Sequence, residues 1–188
     1  MLLGYGLGSI PFGLILTKAA GGGDLRTIGS GNIGATNVLR TGKKWLAALT
    51  LLLDLVKGLV AVWLAAYFFP GCEAIAAAGA FFGHLYPVWL RFEGGKGVAT
   101  YAGIMFGLFW QGGVVYAVAW LGALLLFRVS SLSGLIAAIC APVAAFYFER
   151  GELVPLLIAC SLIVFWKHRE NIERLLNGTE PRVGSKPK

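Results

Sequence analysis

Three short stretches hold residue types able to grip an anion or move a proton. The first is GSGNIGATN, residues 29–37, where Ser30, Asn32, Thr36 and Asn37 set short hydrogen-bonding side chains among glycines. Gly29, Gly31 and Gly34 allow close backbone approach to a ligand, and successive N–H groups in such a turn form an anion nest. Arg40 and Lys43 follow; an arginine holds phosphate through two parallel hydrogen bonds. An ordinary glycine-rich turn has the same composition, so both readings stand. The second stretch is EGGKG, with Gly94, Gly95, Lys96 and Gly97. It offers backbone N–H groups beside one ammonium, just ahead of an apolar run whose helical N-terminus attracts negative charge. It is no Walker loop, because Gly97 stands where Ser or Thr must follow the lysine. The plain alternative is a flexible turn with a snorkelling lysine. The third stretch is KHREN, where His168 and Asn171 lie three apart and share a helical face. Histidine titrates near neutral pH, which suits proton transfer. An amphipathic surface helix accounts for Ile172, Leu175 and Leu176 but not for that pair.

The rest of the chain reads as oil. Of its 188 residues, 57% are hydrophobic and 13% charged, and mean hydropathy is +0.76. A soluble domain of this length cannot hide so much apolar surface, so the sequence predicts an all-α integral membrane protein. A membrane helix needs roughly 20 apolar residues, fewer where neighbours shield it. Seven runs qualify as transmembrane helices: 2–20, 45–69, 74–90, 98–110, 113–127, 132–148 and 153–166. The first lacks a basic leader and a clear cleavage site, which marks a retained span rather than a signal peptide. Cys72, Cys140 and Cys160 stand apart in apolar runs, as packing residues rather than a disulfide or metal framework.

Sixteen Lys and Arg give a net charge of +7. With the N-terminus external, seven spans place fourteen of them on one side, including Lys186 and Lys188. Arg150 alone falls on the other side, and Lys57 lies inside a span. Positive charge collects in the cytoplasm, so the C-terminus is expected to be cytoplasmic. A basic collar beside anionic lipid headgroups explains the charge without nucleic acid. On this topology the outer connections are slight. The four inner ones hold GSGNIGATN, EGGKG, RVSSLS with Ser133, and KHREN, and they would gather at one cytoplasmic face. No repeats stand out, and residues 1–188 read as one domain. His84, in FGHLYPVWL, reads either as a functional group or as a hydrogen-bonded structural histidine. Asp54 and Lys57, three apart within a span, read as a mutually neutralising structural pair.

Taken in order, GSIPFG, GSGNIGATNVLRTGKK, GHLYPVWLRFEGGKGVAT and KHRENIERLLNGTE resemble the signature segments of the bacterial acyl-phosphate:glycerol-3-phosphate acyltransferases, the PlsY family. The resemblance runs from Gly8 to Glu180; the one departure is a short stretch ahead of Gly8. It implies seven transmembrane helices, an external N-terminus and an active site on the cytoplasmic face of the bacterial inner membrane. It implies transfer of a fatty acyl group from acyl phosphate to the 1-hydroxyl of glycerol 3-phosphate, with lysophosphatidic acid and phosphate as products. Ser30, Arg40, Lys96, His168 and Asn171 match polar positions that the family places around the two substrates. Asn32, Thr36, Asn37, Lys43, His84, Gly94, Gly95 and Ser133 match supporting positions, and Gly97 completes the GGKG turn.

Acyl phosphate is already activated, so such an enzyme needs a positioned hydroxyl, a clamp on two phosphates and stabilisation of developing charge. No cofactor or metal is called for. The chain has no GxSxG elbow, and neither histidine is followed by the aspartate of an HxxxxD motif. The base is therefore His168 or a phosphate oxygen of the substrate itself. A transporter for phosphorylated metabolites would show an inverted repeat. A metal-dependent phosphotransferase would need more aspartates than Asp24 and Asp54. A purely structural membrane subunit would have no use for Ser30, Arg40, Lys96 and His168. A monomer acting on a lipid-borne donor is the expectation.

Overall fold

Each of the seven apolar runs is helical in the computed structural model, which describes residues 1–184 and contains no strand among them. Lys186 and Lys188, counted above on the basic side, lie outside the described residues. The chain forms two compact units, one of Met1–Leu108 and one beginning at Phe109. The first holds α1 (Leu2–Gly8), α2 (Phe12–Ala19), α3 (Ala35–Leu39), α4 (Lys44–Phe68), α5 (Glu73–Leu85) and α6 (Val98–Leu108). The second holds α7 (Trp110–Phe127), α8 (Ser130–Tyr147), α9 (Val154–Lys167) and α10 (Arg169–Leu176).

The first apolar run is broken at Pro11. Proline lacks an N–H and disfavours helix in the residue before it, so α1 stops at Gly8 and α2 restarts at Phe12. The break exposes the Ile10 carbonyl, which accepts from Phe12 N at 3.1 Å and from the α4 lysine, Lys57 Nζ, at 2.8 Å. Small residues bring the helices of this unit together. A Cβ at Gly8 would fall 2.0 Å from the Ala80 carbonyl oxygen, and one at Gly83 would fall 2.3 Å from that of Tyr5. α1 and α5 thus interlock through reciprocal small-xxx-small faces. α4 and α6 meet the same way, with Gly103 against Leu55 and Gly58 against Thr100. The core between them is fully buried: Ala77, Phe81, Leu85, Tyr101, Ile104 and Met105.

In the second unit, Pro142 lies inside α8, which continues through it. Its missing N–H would have bonded Ala138 O four residues back; Ser161 Oγ of α9 donates to that oxygen instead, at 2.6 Å. The alanine face of α8 (Ala137, Ala138, Ala141, Ala144, Ala145) and Leu157, Cys160 and Val164 of α9 are buried. Leu125 and Phe146 are 81% and 79% exposed, which fits a lipid rather than an aqueous surround.

By length and composition four helical stretches can cross a membrane: Leu2–Ala19, Lys44–Phe68, Trp110–Phe127 and Ser130–Tyr147. A bent pair, Gly151–Lys167 with Arg169–Leu176 at 61°, brings the number to five, and Val98–Leu108 is apolar but shorter.

Candidate active site

The first polar loop folds around one side chain. Asn37 is buried, and its Nδ2 donates to the carbonyls of Leu25, Ile28 and Asn32 at 3.0, 2.9 and 2.8 Å. Its Oδ1 accepts from Ser30 N at 3.2 Å. Asn32 Oδ1 accepts from Gly34 N at 2.8 Å, just ahead of α3. Beneath the loop, Leu25, Val38, Leu46 and Ala47 form an apolar base. Gly29, at φ 54°, is where Arg40 lies: a Cβ there would fall 2.8 Å from Arg40 Nη1. Ser30, Thr36 and Arg40 remain exposed. Lys43, by contrast, donates its ammonium to the carbonyl of Ala20 at the end of α2. The fold thus separates a buried frame, Asn37, from exposed reactive side chains a few residues away.

On the neighbouring surface Arg26 holds Asp24 well below the carboxylate range, at about 2, through a side-chain hydrogen bond. Arg26 is raised in turn, first by Asp24 and more weakly by Glu93, which brings the first loop within electrostatic reach of the second.

The second polar loop reverses direction in a strained turn, with Arg91 and Phe92 at φ 52° and 64°. Gly94 N donates to Leu85 O at 3.1 Å and Gly95 N to His84 O at 3.0 Å. These amides, open to an anion in the sequence reading, are hydrogen-bonded to the last turn of α5. Gly97, at φ 88°, has no room for a side chain, since a Cβ would meet the Phe81 ring at 2.6 Å. Half-buried Lys96 sits between these glycines, immediately before α6. His84 is buried beside Gly95.

In the second unit, His168 joins α9 to α10 and is 3% exposed. Its Nδ1 lies 2.8 Å from Val164 O. A carbonyl can only accept, so Nδ1 carries the hydrogen, and Nε2 is the acceptor of the neutral ring. Asn171 is buried, and its Nδ2 donates to Glu180 Oε1 at 2.6 Å. Glu180 also accepts from Ser131 Oγ at 2.6 Å and Arg174 Nε at 2.7 Å. Burial pushes the Glu180 carboxyl up, but the hydrogen bonds from Ser131, Asn171 and Arg174 outweigh it and hold the group below the usual glutamate range. Sequence reasoning missed Glu180 as an organising group. The available signal was a lone acid in the otherwise basic tail NGTEPRVGSKPK. Ser133 is buried and donates to the carbonyl of Val129, the residue that caps its helix, at 2.9 Å. Among the described residues no group of three or more His, Cys, Asp or Glu side chains is placed to hold a metal ion.

The family model described as glycerol-3-phosphate acyltransferase matches residues 1–178. A glycerol-3-phosphate acyltransferase of Erythrobacter litoralis (strain HTCC2594) is 59% identical over 186 residues, 99% of this chain and 94% of the relative. One of Mesorhizobium japonicum is 58% identical over 186 residues, 99% of this chain and 95% of the relative. The crystal structure of PlsY, an integral membrane glycerol 3-phosphate acyltransferase, is similar in its glycerol 3-phosphate form. The TM-score is 0.88 at 38% identity, covering 96% of this chain and 92% of that one. Its lysophosphatidic acid form gives 0.87 at 36%, covering 97% and 92%. With the helical architecture and the polar loops in place, these likenesses along nearly the whole length settle the assignment: the chain belongs to the membrane-integral glycerol-3-phosphate acyltransferase family that includes PlsY.

Proposed function

We propose that this protein moves a fatty acyl group from acyl phosphate to the 1-hydroxyl of sn-glycerol 3-phosphate, releasing lysophosphatidic acid and inorganic phosphate. Seven crossings, an external N-terminus and a cytoplasmic site in the bacterial inner membrane belong to the same reading. So does action as a monomer, with residues 1–188 as one functional domain. The observation that carries it is the first loop, where buried Asn37 holds the frame while Ser30 and Arg40 stay exposed at its surface. That arrangement presents a guanidinium and a hydroxyl to a phosphate without loop rearrangement.

In this mechanism the hydroxyl oxygen of glycerol 3-phosphate attacks the acyl carbonyl carbon. The new ester bond forms as the carbon–oxygen bond to phosphate breaks, its electron pair leaves on phosphate, and the hydroxyl proton passes to a phosphate oxygen. Arg40 and Lys96 neutralise the phosphates and the charge passing to the leaving group. Ser30 orients the reacting groups, with Asn32 and Thr36 on the same loop, and Asn171 is assigned an orienting role as well. Asn37, Lys43, Gly94, Gly95 and Ser133 act as framework, in keeping with their hydrogen bonds to backbone carbonyls.

A second reading makes His168 the base. It is favoured by the Nδ1 contact with Val164 O, which leaves Nε2 as the proton acceptor. His168→Gln at saturating substrates separates the two. A loss of only tens-fold with raised KM keeps the phosphate as acceptor, whereas a general base supplies about 10²–10⁴-fold in kcat. The donor is tested with purified protein, palmitoyl phosphate and labelled glycerol 3-phosphate. Labelled lysophosphatidic acid is expected; turnover with palmitoyl-CoA alone would overturn the donor.

A further inference from the structure

Asp54, Lys57 and His84 take no part in the transfer chemistry above, yet His84 lies against the turn that carries Lys96, and the Asp54–Lys57 pair lies beside His84. Asp54 and Lys57 project from one face of α4 and are 3% and 4% exposed. Lys57 Nζ lies 2.6 Å from Asp54 Oδ1, and the same oxygen lies 3.7 Å from His84 Nδ1. At that distance the carboxylate acts on the ring through its charge rather than through a hydrogen bond. The opposite side of the ring meets the turn: a Cβ at Gly95 would fall 2.1 Å from His84 Nε2, so the imidazole lies against the Gly95 backbone. The His84 and Leu85 carbonyls hold the amides of Gly95 and Gly94. Lys57 is itself anchored to Ile10 O at the Pro11 break. A buried ion pair adds little net stability over apolar side chains of the same volume.

We propose that Asp54 and Lys57 are positioning residues for Lys96: their ion pair fixes the His84 ring, the ring forms the floor of the GGKG turn, and the floor sets where the Lys96 ammonium meets substrate phosphate. That last step rests on the phosphate-holding role proposed for Lys96; the seating of the turn does not.

The test uses the full-length protein in lipid nanodiscs and the double variant Asp54→Asn/Lys57→Met, which leaves no orphan charge in the bundle. Amide exchange read by mass spectrometry reports the seat directly. Peptides covering residues 94–97 are expected to exchange roughly tenfold faster, with peptides from α1 unchanged. Unaltered exchange in that turn, or an equal rise throughout the unit, overturns the proposal. Kinetics with palmitoyl phosphate and glycerol 3-phosphate report the consequence. KM for a phosphate-bearing substrate is expected to rise roughly tenfold with kcat changed less than about threefold, and the rise should vanish when Lys96→Ala is already present. A rise that persists undiminished in the Lys96→Ala background overturns the coupling to Lys96. Faster turn exchange together with normal KM in Lys96→Ala alone confirms the seat and overturns the phosphate-holding role.

Discussion

Asp54 in the first unit and Glu180 in the second are both drawn almost wholly out of solvent, at 4% and 7% side-chain exposure, and are compensated by opposite means. Asp54 takes its cation from three residues along the same helix, so the pair is in place once α4 has formed. Glu180 belongs to no helix. It arrives on the tail after α10 and collects a hydroxyl from α8 together with an amide and a guanidinium from α10. The tail then continues to Val183, whose N–H donates to the Arg128 carbonyl at 2.7 Å. The first arrangement cannot open without disturbing a membrane helix; the second can open while every helix persists.

The largest expected effect follows from orphaning the local pair. Lys57→Met leaves Asp54 buried without its cation and should lower unfolding free energy by about 3–5 kcal/mol, read by thermal or denaturant unfolding. Restoring neutrality with Asp54→Asn should recover most of that loss. Next, Glu180→Ala should cost about 1.5–3 kcal/mol, the scale of hydrogen bonds to a charged group. The loss should appear as faster proteolysis beyond Asn177 with helical circular dichroism retained. Equal damage from the two substitutions would erase the contrast. The smallest effect is one of pH. Glu180 has a folded pKa below its ordinary 4.5, so its contribution is complete above the unfolded value and fades as pH falls through the folded one. Pepsin cleavage of the tail should therefore accelerate as pH drops below about 4.5, and Glu180→Gln should lose that dependence.

The same contrast explains what the sequence could reveal. Apolar runs and the i,i+3 spacing of Asp54 and Lys57 are local, and the structure has helices and an ion pair where they were expected. Pro11 and Pro142 were visible, but their repair was not. The Ile10 oxygen exposed at the first break and the Ala138 oxygen freed by the second proline are met by Lys57 and Ser161, which are 47 and 23 residues away along the chain. The fate of the loop side chains depended on closure too. Asn37 finds its three carbonyls only after the first loop has curled around it. Gly94 and Gly95 turn their amides to α5 because the chain doubles back at Arg91 and Phe92. Glu180 looked like the end of a motif, since nothing in its neighbours announces Ser131 as a partner.

The bond from Lys43 to Ala20 has a practical corollary. It clasps the neck of an excursion whose two ends are 23 positions apart. Just past that clasp, Gly21 and Gly23 face open space. Lengthening a flexible loop adds only about 0.6 kcal/mol per doubling. An epitope of several residues spliced at Gly21–Gly23 should therefore ride outside the knot centred on Asn37, and an antibody applied to intact or inverted vesicles could then report which compartment the excursion faces.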